Sequence, residues 1–248
     1  MREIRRFAVR KAFIVAGLTL TVALIFSSLH RVPAQQSMAR GETRVVSSAP
    51  DFSGVWFVRA YRRNILPNED PPFQPWAEAA FKKRQLDQTH ADPNHGPDPT
   101  ARCIPPGIPR TMLQPLPFEI IHARDRVVMV FEYQSLIRQI FTDGRGHAKD
   151  QDPTYMGDAI GHFEGDTLVV DTTGFNDKTW LDPMGLPHTV VLHVVEHIRR
   201  TDHDTLVDDY TIEDPKAYTK PWTAQVIFSL KPDWQIKEYV CAENNKVR

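Results

Sequence analysis

From residue 118 onward the chain is cut into short apolar–polar runs by three- or four-residue turn clusters, and that spacing favours antiparallel β-structure. Phe118–His122 and Val127–Tyr133 flank Ala123-Arg124-Asp125-Arg126. Leu136–Phe141 ends at Thr142-Asp143-Gly144-Arg145. Ala159–Phe163 and Thr167–Thr173 flank Glu164-Gly165-Asp166, and Val190–Arg200 and Thr205–Glu213 flank Thr201-Asp202-His203-Asp204. Trp222–Leu230 and Trp234–Cys241 flank Lys231-Pro232-Asp233. With Ser53–Val58 as a first strand, the count reaches nine or ten. A meander of that size must close or cover its edges. The expected fold is therefore mainly β: an antiparallel barrel or strongly curved sheet. Pro75–Leu86 is the one helix candidate, with Pro75 in the first turn and Ala77, Ala80, Phe81 and Arg84 on one face. Residues 87–117 hold eight prolines and read as a long loop.

The N-terminus bounds the compartment. Arg2, Arg5, Arg6, Arg10 and Lys11 precede an apolar run from Ala12 to Phe26, and Val32-Pro33-Ala34 follows as a small-residue cleavage site. That order marks a secretory signal peptide over 1–34. An uncleaved anchor is the alternative, but the run is short for a bilayer span. A polar lead-in over 35–50 would precede a single domain over 51–248. Removing the leader leaves 24 basic against 30 acidic residues. That acidic balance argues against nucleic acid as a partner. No later stretch is long and apolar enough for a helical membrane span, so the expected location is periplasmic or secreted. Cys103 and Cys241 are the only two cysteines. In an oxidising compartment they suggest one disulfide, the alternative being two buried thiols.

Period-two reading places charges among apolar residues. Arg138 is in phase with Leu136 and Ile140, Glu196 with Leu192, Val194 and Ile198, Asp208 with Leu206, Tyr210 and Ile212, and Glu238 with Trp234, Ile236 and Val240. A buried charge must pair, meet water or face a ligand. Arg138 with Glu196 or Asp208 would satisfy that need inside a barrel; a solvated face is the other reading. Trp56, Phe57, Trp180, Trp222 and Trp234 add aromatic surface of the kind that lines small-molecule sites.

Two histidines lie in turn-rich loops, His147 after Asp143-Gly144-Arg145-Gly146 and His188 after Asp182. A histidine beside a carboxylate can exchange protons near neutral pH. The candidate pairs are His147 with Asp143 or Asp150, and His188 with Asp182. No HExxH, paired CxxC, P-loop or GxSxG motif occurs. His193 and His197 make only a weak metal signal on a strand, so no metal and no cofactor are expected.

Gly54-Val55-Trp56 resembles the G-x-W signature of lipocalin-like barrels, although the final run has Lys237 where an arginine would cover the tryptophan. More broadly, Asp51–Trp56, Cys103–Arg110, Arg138–Arg145, Gly161–Asp177, Trp180–Asp182, Pro187-His188, Thr211–Trp222 and Glu238–Asn244 resemble an uncharacterised family of secreted bacterial proteins. The resemblance implies a barrel and export, and draws attention to Arg138, Asp182, His188 and Glu196. The expected protein holds an apolar or aromatic small molecule. Arg138, Trp180, Trp222 and Trp56 would bind it. His188, Asp182, His147 and Glu196 would supply acid–base chemistry of an isomerase, lyase or hydrolase. A non-catalytic carrier or a structural envelope protein is the alternative.

Overall fold

A computed structural model describes residues 50–66, 68–90 and 97–244. The leader and the lead-in up to residue 49 lie outside the described residues. Nine strands form a closed barrel in which each strand pairs with its neighbours in chain order: β1 (Gly54–Val58), β2 (Phe118–His122), β3 (Arg126–Phe131), β4 (Ile137–Phe141), β5 (Asp158–Glu164), β6 (Thr167–Thr173), β7 (His193–Asp202), β8 (Thr205–Glu213) and β9 (Trp222–Leu230). Closure removes the exposed edges a meander would otherwise present. It is made by β9 against β1, with Trp56 opposite Leu230 and Val58 opposite Phe228. The one parallel step is β4–β5, where Ile140 faces Ala159 and Phe141 faces Ile160. A crossover over 142–157 makes it possible, because a tight turn cannot join parallel strands.

The strand expected over 234–241 does not form. The free side of β9 is already paired to β1, so no ladder is open to it. The chain instead runs irregularly to a short helix α2 (Cys241–Asn244), and Glu238 is exposed rather than inward. The Cys103–Cys241 disulfide is present, with the two Cα atoms 5.7 Å apart. It joins this C-terminal segment to the proline-rich loop, which carries short 3-10 turns at Pro99–Arg102 and Arg110–Leu113.

The inward residues fill the barrel. Trp56, Met129, Ile140, Leu168, Val170, Val194, Ile198, Leu206, Ile212 and Phe228 are all 0% exposed. Phe118 stacks obliquely on Phe131 at 5.5 Å and meets Phe228 edge-on at 5.1 Å. The Trp56 indole donates to the Phe52 carbonyl at 2.9 Å. Gly54 takes φ +131°, and a Cβ there would lie 2.8 Å from Leu230 Cδ1, which is why glycine opens this strand. The cation over Trp56 comes from β7 rather than from the last segment: the Arg200 guanidinium lies 5.3 Å from the ring.

The helix α1 (Pro75–His90) runs further than its sequence pattern suggests. Phe81 packs on Phe73, which stacks on Tyr218, and Arg84 donates to the Gly185 carbonyl at 3.0 Å. Those contacts fix α1 against the 180–188 loop. Among the described residues no helix is long and apolar enough to cross a membrane.

Candidate functional site

The barrel interior contains a buried polar cluster contributed by four strands. Arg138 of β4 donates through Nη1 to Glu196 Oε1 of β7 at 2.8 Å, through Nη2 to Glu196 Oε2, and through Nη2 to Thr172 Oγ1 of β6 at 3.0 Å. The forked geometry is the strong form of this pair. Arg138 is 2% exposed and Glu196 0%. On β8, Tyr210 stands opposite Glu196 and Asp208 opposite Ile198. Both Asp208 oxygens, the Tyr210 hydroxyl, Arg138 Nε and Trp222 Nε1 are buried without a hydrogen-bond partner among the described residues. Burial, reinforced by the Glu196 charge, pushes the Asp208 carboxyl well above the usual carboxylate range. The cluster is thus the Arg138–Glu196 ion pair with the unpartnered Asp208 carboxyl and Tyr210 hydroxyl beside it.

Sequence phase brings Arg138 and Glu196 together as expected. The apolar residues around them are also buried. Their contacts are with the barrel itself.

The expected Asp182–His188 pair does not form. The 182–186 turn folds its own backbone onto the carboxylate: Asp182 Oδ1 accepts from the amides of Met184 and Gly185 at 3.0 Å and of Leu186 at 3.2 Å. Oδ2 accepts from the Ile65 amide at 3.2 Å. Asp182 therefore ties a buried turn to the segment after β1. Replacing it with alanine leaves four amides without their acceptor, and Asp182→Ala is expected to lower unfolding stability by about 2–3 kcal/mol in urea titration. His188 instead lies 2.7 Å from Thr179 Oγ1 through Nε2 and 3.2 Å from the Thr189 carbonyl through Nδ1. It is 5% exposed, and burial lowers its pKa, which keeps the ring neutral. The carboxylate nearby is Asp214, which accepts from the Thr189 amide at 2.6 Å and its hydroxyl at 3.0 Å.

The three tryptophans expected to touch a ligand are packed. Trp56 is sealed in the barrel. Trp180 is buried between the guanidinium groups of Arg84 and Arg110, at 5.2 and 5.6 Å. Trp222 is buried against the edge of Tyr218 at 5.4 Å.

His147 does meet carboxylates, but not those near it in sequence, since Asp143 is held by Arg145. Its Nδ1 is 2.8 Å from Asp158 Oδ2 and its Nε2 is 2.9 Å from Asp171 Oδ1. The contacts continue outward along the sheet: His193 Nε2 lies 3.0 Å from the same Asp171 oxygen, and His193 Nδ1 is 3.1 Å from Glu213 Oε2. His197 stands opposite Asp209, further along β7. Among the described residues no three histidine, cysteine or carboxylate side chains are arranged to hold a metal ion.

The open surface with aromatic character lies outside the barrel wall. Phe57, which alternates with Trp56 on β1, points outward, and Trp234 meets it edge-on at 5.3 Å. With Pro115, Leu116, Pro117 and Lys237 they line a groove of about 520 Å³. Trp234 is 46% exposed, and the Lys231 ammonium lies 5.4 Å from its ring. The signal for Phe57 is present in the sequence, because period two sends it to the face opposite Trp56. Trp234 gives no such signal, since its segment is not a strand.

The chain matches no protein-family model, no curated protein and no solved structure. The resemblance to a secreted bacterial family therefore gains no support from these comparisons. The closed barrel is compatible with a lipocalin-like one, with a ninth strand and a parallel step added.

Proposed function

We propose that this protein is exported and binds an apolar or aromatic small molecule in the groove between β1, the proline-rich loop and the C-terminal segment. The observation that carries this reading is the Phe57–Trp234 pair, an aromatic wall left half-open beside three apolar loop residues. Exposed tryptophan and phenylalanine in a concave site are the usual anchors of such ligands, and the flanking Lys237, Asp233 and Glu132 would orient a polar end. The basic, apolar leader and the single disulfide support export. Binding needs no catalytic step. His188 is sealed and neutral, and both ring nitrogens of His147 are taken by carboxylates.

The test is a fluorescence titration with 1-anilinonaphthalene-8-sulfonate as the aromatic probe. Wild type should bind it saturably. Trp234→Ala should weaken binding by about tenfold, or ~1.4 kcal/mol, while Ile137→Ser, a change at another exposed apolar residue, should not. Equal affinity in wild type and Trp234→Ala would remove the groove as the site.

A further inference from the structure

The alternating row Asp158, His147, Asp171, His193, Glu213 crosses the outer face of β5, β6, β7 and β8 and is absorbed by neither the core nor the groove. The two His147 contacts require protons. A neutral imidazole carries one N–H, so it can donate to one carboxylate only. His147 has a carboxylate oxygen at both nitrogens, 2.8 and 2.9 Å away. Losing one proton would turn one of these contacts into a lone pair facing an oxygen anion. Three carboxylates surround two imidazoles, so the row is strongly anionic unless the rings are charged.

His147 sits in the 142–157 crossover between β4 and β5. The second half of this crossover is fastened by backbone: Thr154 donates to the Gly174 carbonyl at 2.9 Å and accepts from the Asn176 amide at 2.8 Å. Tyr155 and Met156 lie over the 107–111 segment, where a Cβ on Gly107 would meet the Tyr155 carbonyl at 2.9 Å and Thr111 Oγ1 is 3.7 Å from Met156 Sδ. Among the described residues, the side-chain hydrogen bonds that tie 143–153 to the strands come from His147, and the Arg145 guanidinium adds a stacking contact 3.9 Å from the Phe141 ring of β4.

We propose that the row is a proton-operated latch that fastens the first half of the crossover to the barrel wall. The charged imidazole of His147 bridges Asp158 on β5 and Asp171 on β6, and Asp171 is shared with His193 on β7, which Glu213 on β8 backs from the other side. On the crossover itself Asp143 and Arg145 neutralise one another. The groups acting on the His147 charge are Asp158 and Asp171; those acting on Asp171 are His147 and His193. Partial burial disfavours the imidazolium, but the two carboxylate hydrogen bonds outweigh it and raise the His147 pKa above 6.5. A raised histidine pKa gives stability that is fully present below the unfolded value and is lost as pH rises through the folded one. The latch is thus closed in mild acid and opens on the alkaline side.

The test is cleavage within 143–153 by a broad-specificity protease, normalised to its rate on an unstructured peptide of the same sequence, at about pH 6 and about pH 9. In wild type the normalised rate should rise by about tenfold between the two. In His147→Gln it should be high at both and change by less than about twofold. NMR titration of the His147 ring in the intact wild-type protein should give a midpoint above 6.5, lowered by Asp171→Asn. An unchanged wild-type rate, a low rate in His147→Gln at both pH values, or a midpoint at or below 6.5 would each overturn the latch.

Discussion

Glu196→Ala is expected to destabilise the protein by about 3–5 kcal/mol, the range for removing one partner of a buried ion pair. Arg138, 2% exposed, would keep its charge with no carboxylate bound to it, and Thr172 Oγ1 cannot replace the forked contact. Arg138→Ala should cost about as much, for the converse reason. The same physics gives Asp208 a different sensitivity. Burial already disfavours its charged form, so Asp208→Asn keeps the shape, removes that disfavoured charge and should change stability by less than about 1 kcal/mol. The double variant Arg138→Met/Glu196→Leu removes both charges and should recover most of the loss, because a filled apolar site has no desolvation cost to offset. Urea unfolding of the four variants measures this set. Glu196→Ala within 1 kcal/mol of wild type would mean that water reaches the cluster.

Removing the Cys103–Cys241 bond, by Cys103→Ser/Cys241→Ser or by reductant, is expected to lower stability by about 2–5 kcal/mol. The two residues are 138 apart in sequence, and a loop of that length favours the unfolded chain strongly once released. The loss would also be local. The segment after β9 is also tied to the barrel elsewhere: the Lys231 amide donates to the Val55 carbonyl at 2.8 Å, the Lys237 amide to Glu132 Oε2 at 3.0 Å, Trp234 meets Phe57 at 5.3 Å and Tyr239 packs on Tyr133 at 5.1 Å. Trp234 rides on this segment, so reduction should weaken probe binding along with the fold. Thermal unfolding with and without reductant checks the first effect and probe titration of the reduced protein checks the second. A reduced protein with unchanged stability would contradict the account.

The strands were legible because alternation and tight turns are local signals. Phe118–His122, Thr167–Thr173, Thr205–Glu213 and Trp222–Leu230 have the same ends in the structure as in the pattern. The same alternation put Arg138, Glu196 and Asp208 among apolar residues and left Arg138 to pair with either carboxylate; the structure pairs it with Glu196. It failed over 234–241, where an apolar–polar rhythm exists but the only edge it could join is occupied by β1. The expected histidine–carboxylate pairings failed for a related reason. Proximity in sequence suggested Asp182 for His188 and Asp143 for His147. A turn carboxylate, however, is claimed first by the amides of its own turn, as Asp182 is, or by a neighbouring arginine, as Asp143 is. The carboxylates that reach His147 come from β5 and β6, and that contact depends on the parallel crossover, which leaves no local mark. The filled interior was also beyond reach, since alternation says which residues point inward but not whether they meet.

On the proposed reading the ligand sits in the outer groove at Trp234 and not inside the barrel. The five tryptophans, Trp56, Trp76, Trp180, Trp222 and Trp234, give five indole N–H signals in a nitrogen-15 correlation spectrum. Titrating the aromatic sulfonate probe should shift the Trp234 signal while Trp56 and Trp222 stay in place. Movement of Trp56 or Trp222 with Trp234 unmoved would put the ligand inside the barrel and contradict the account.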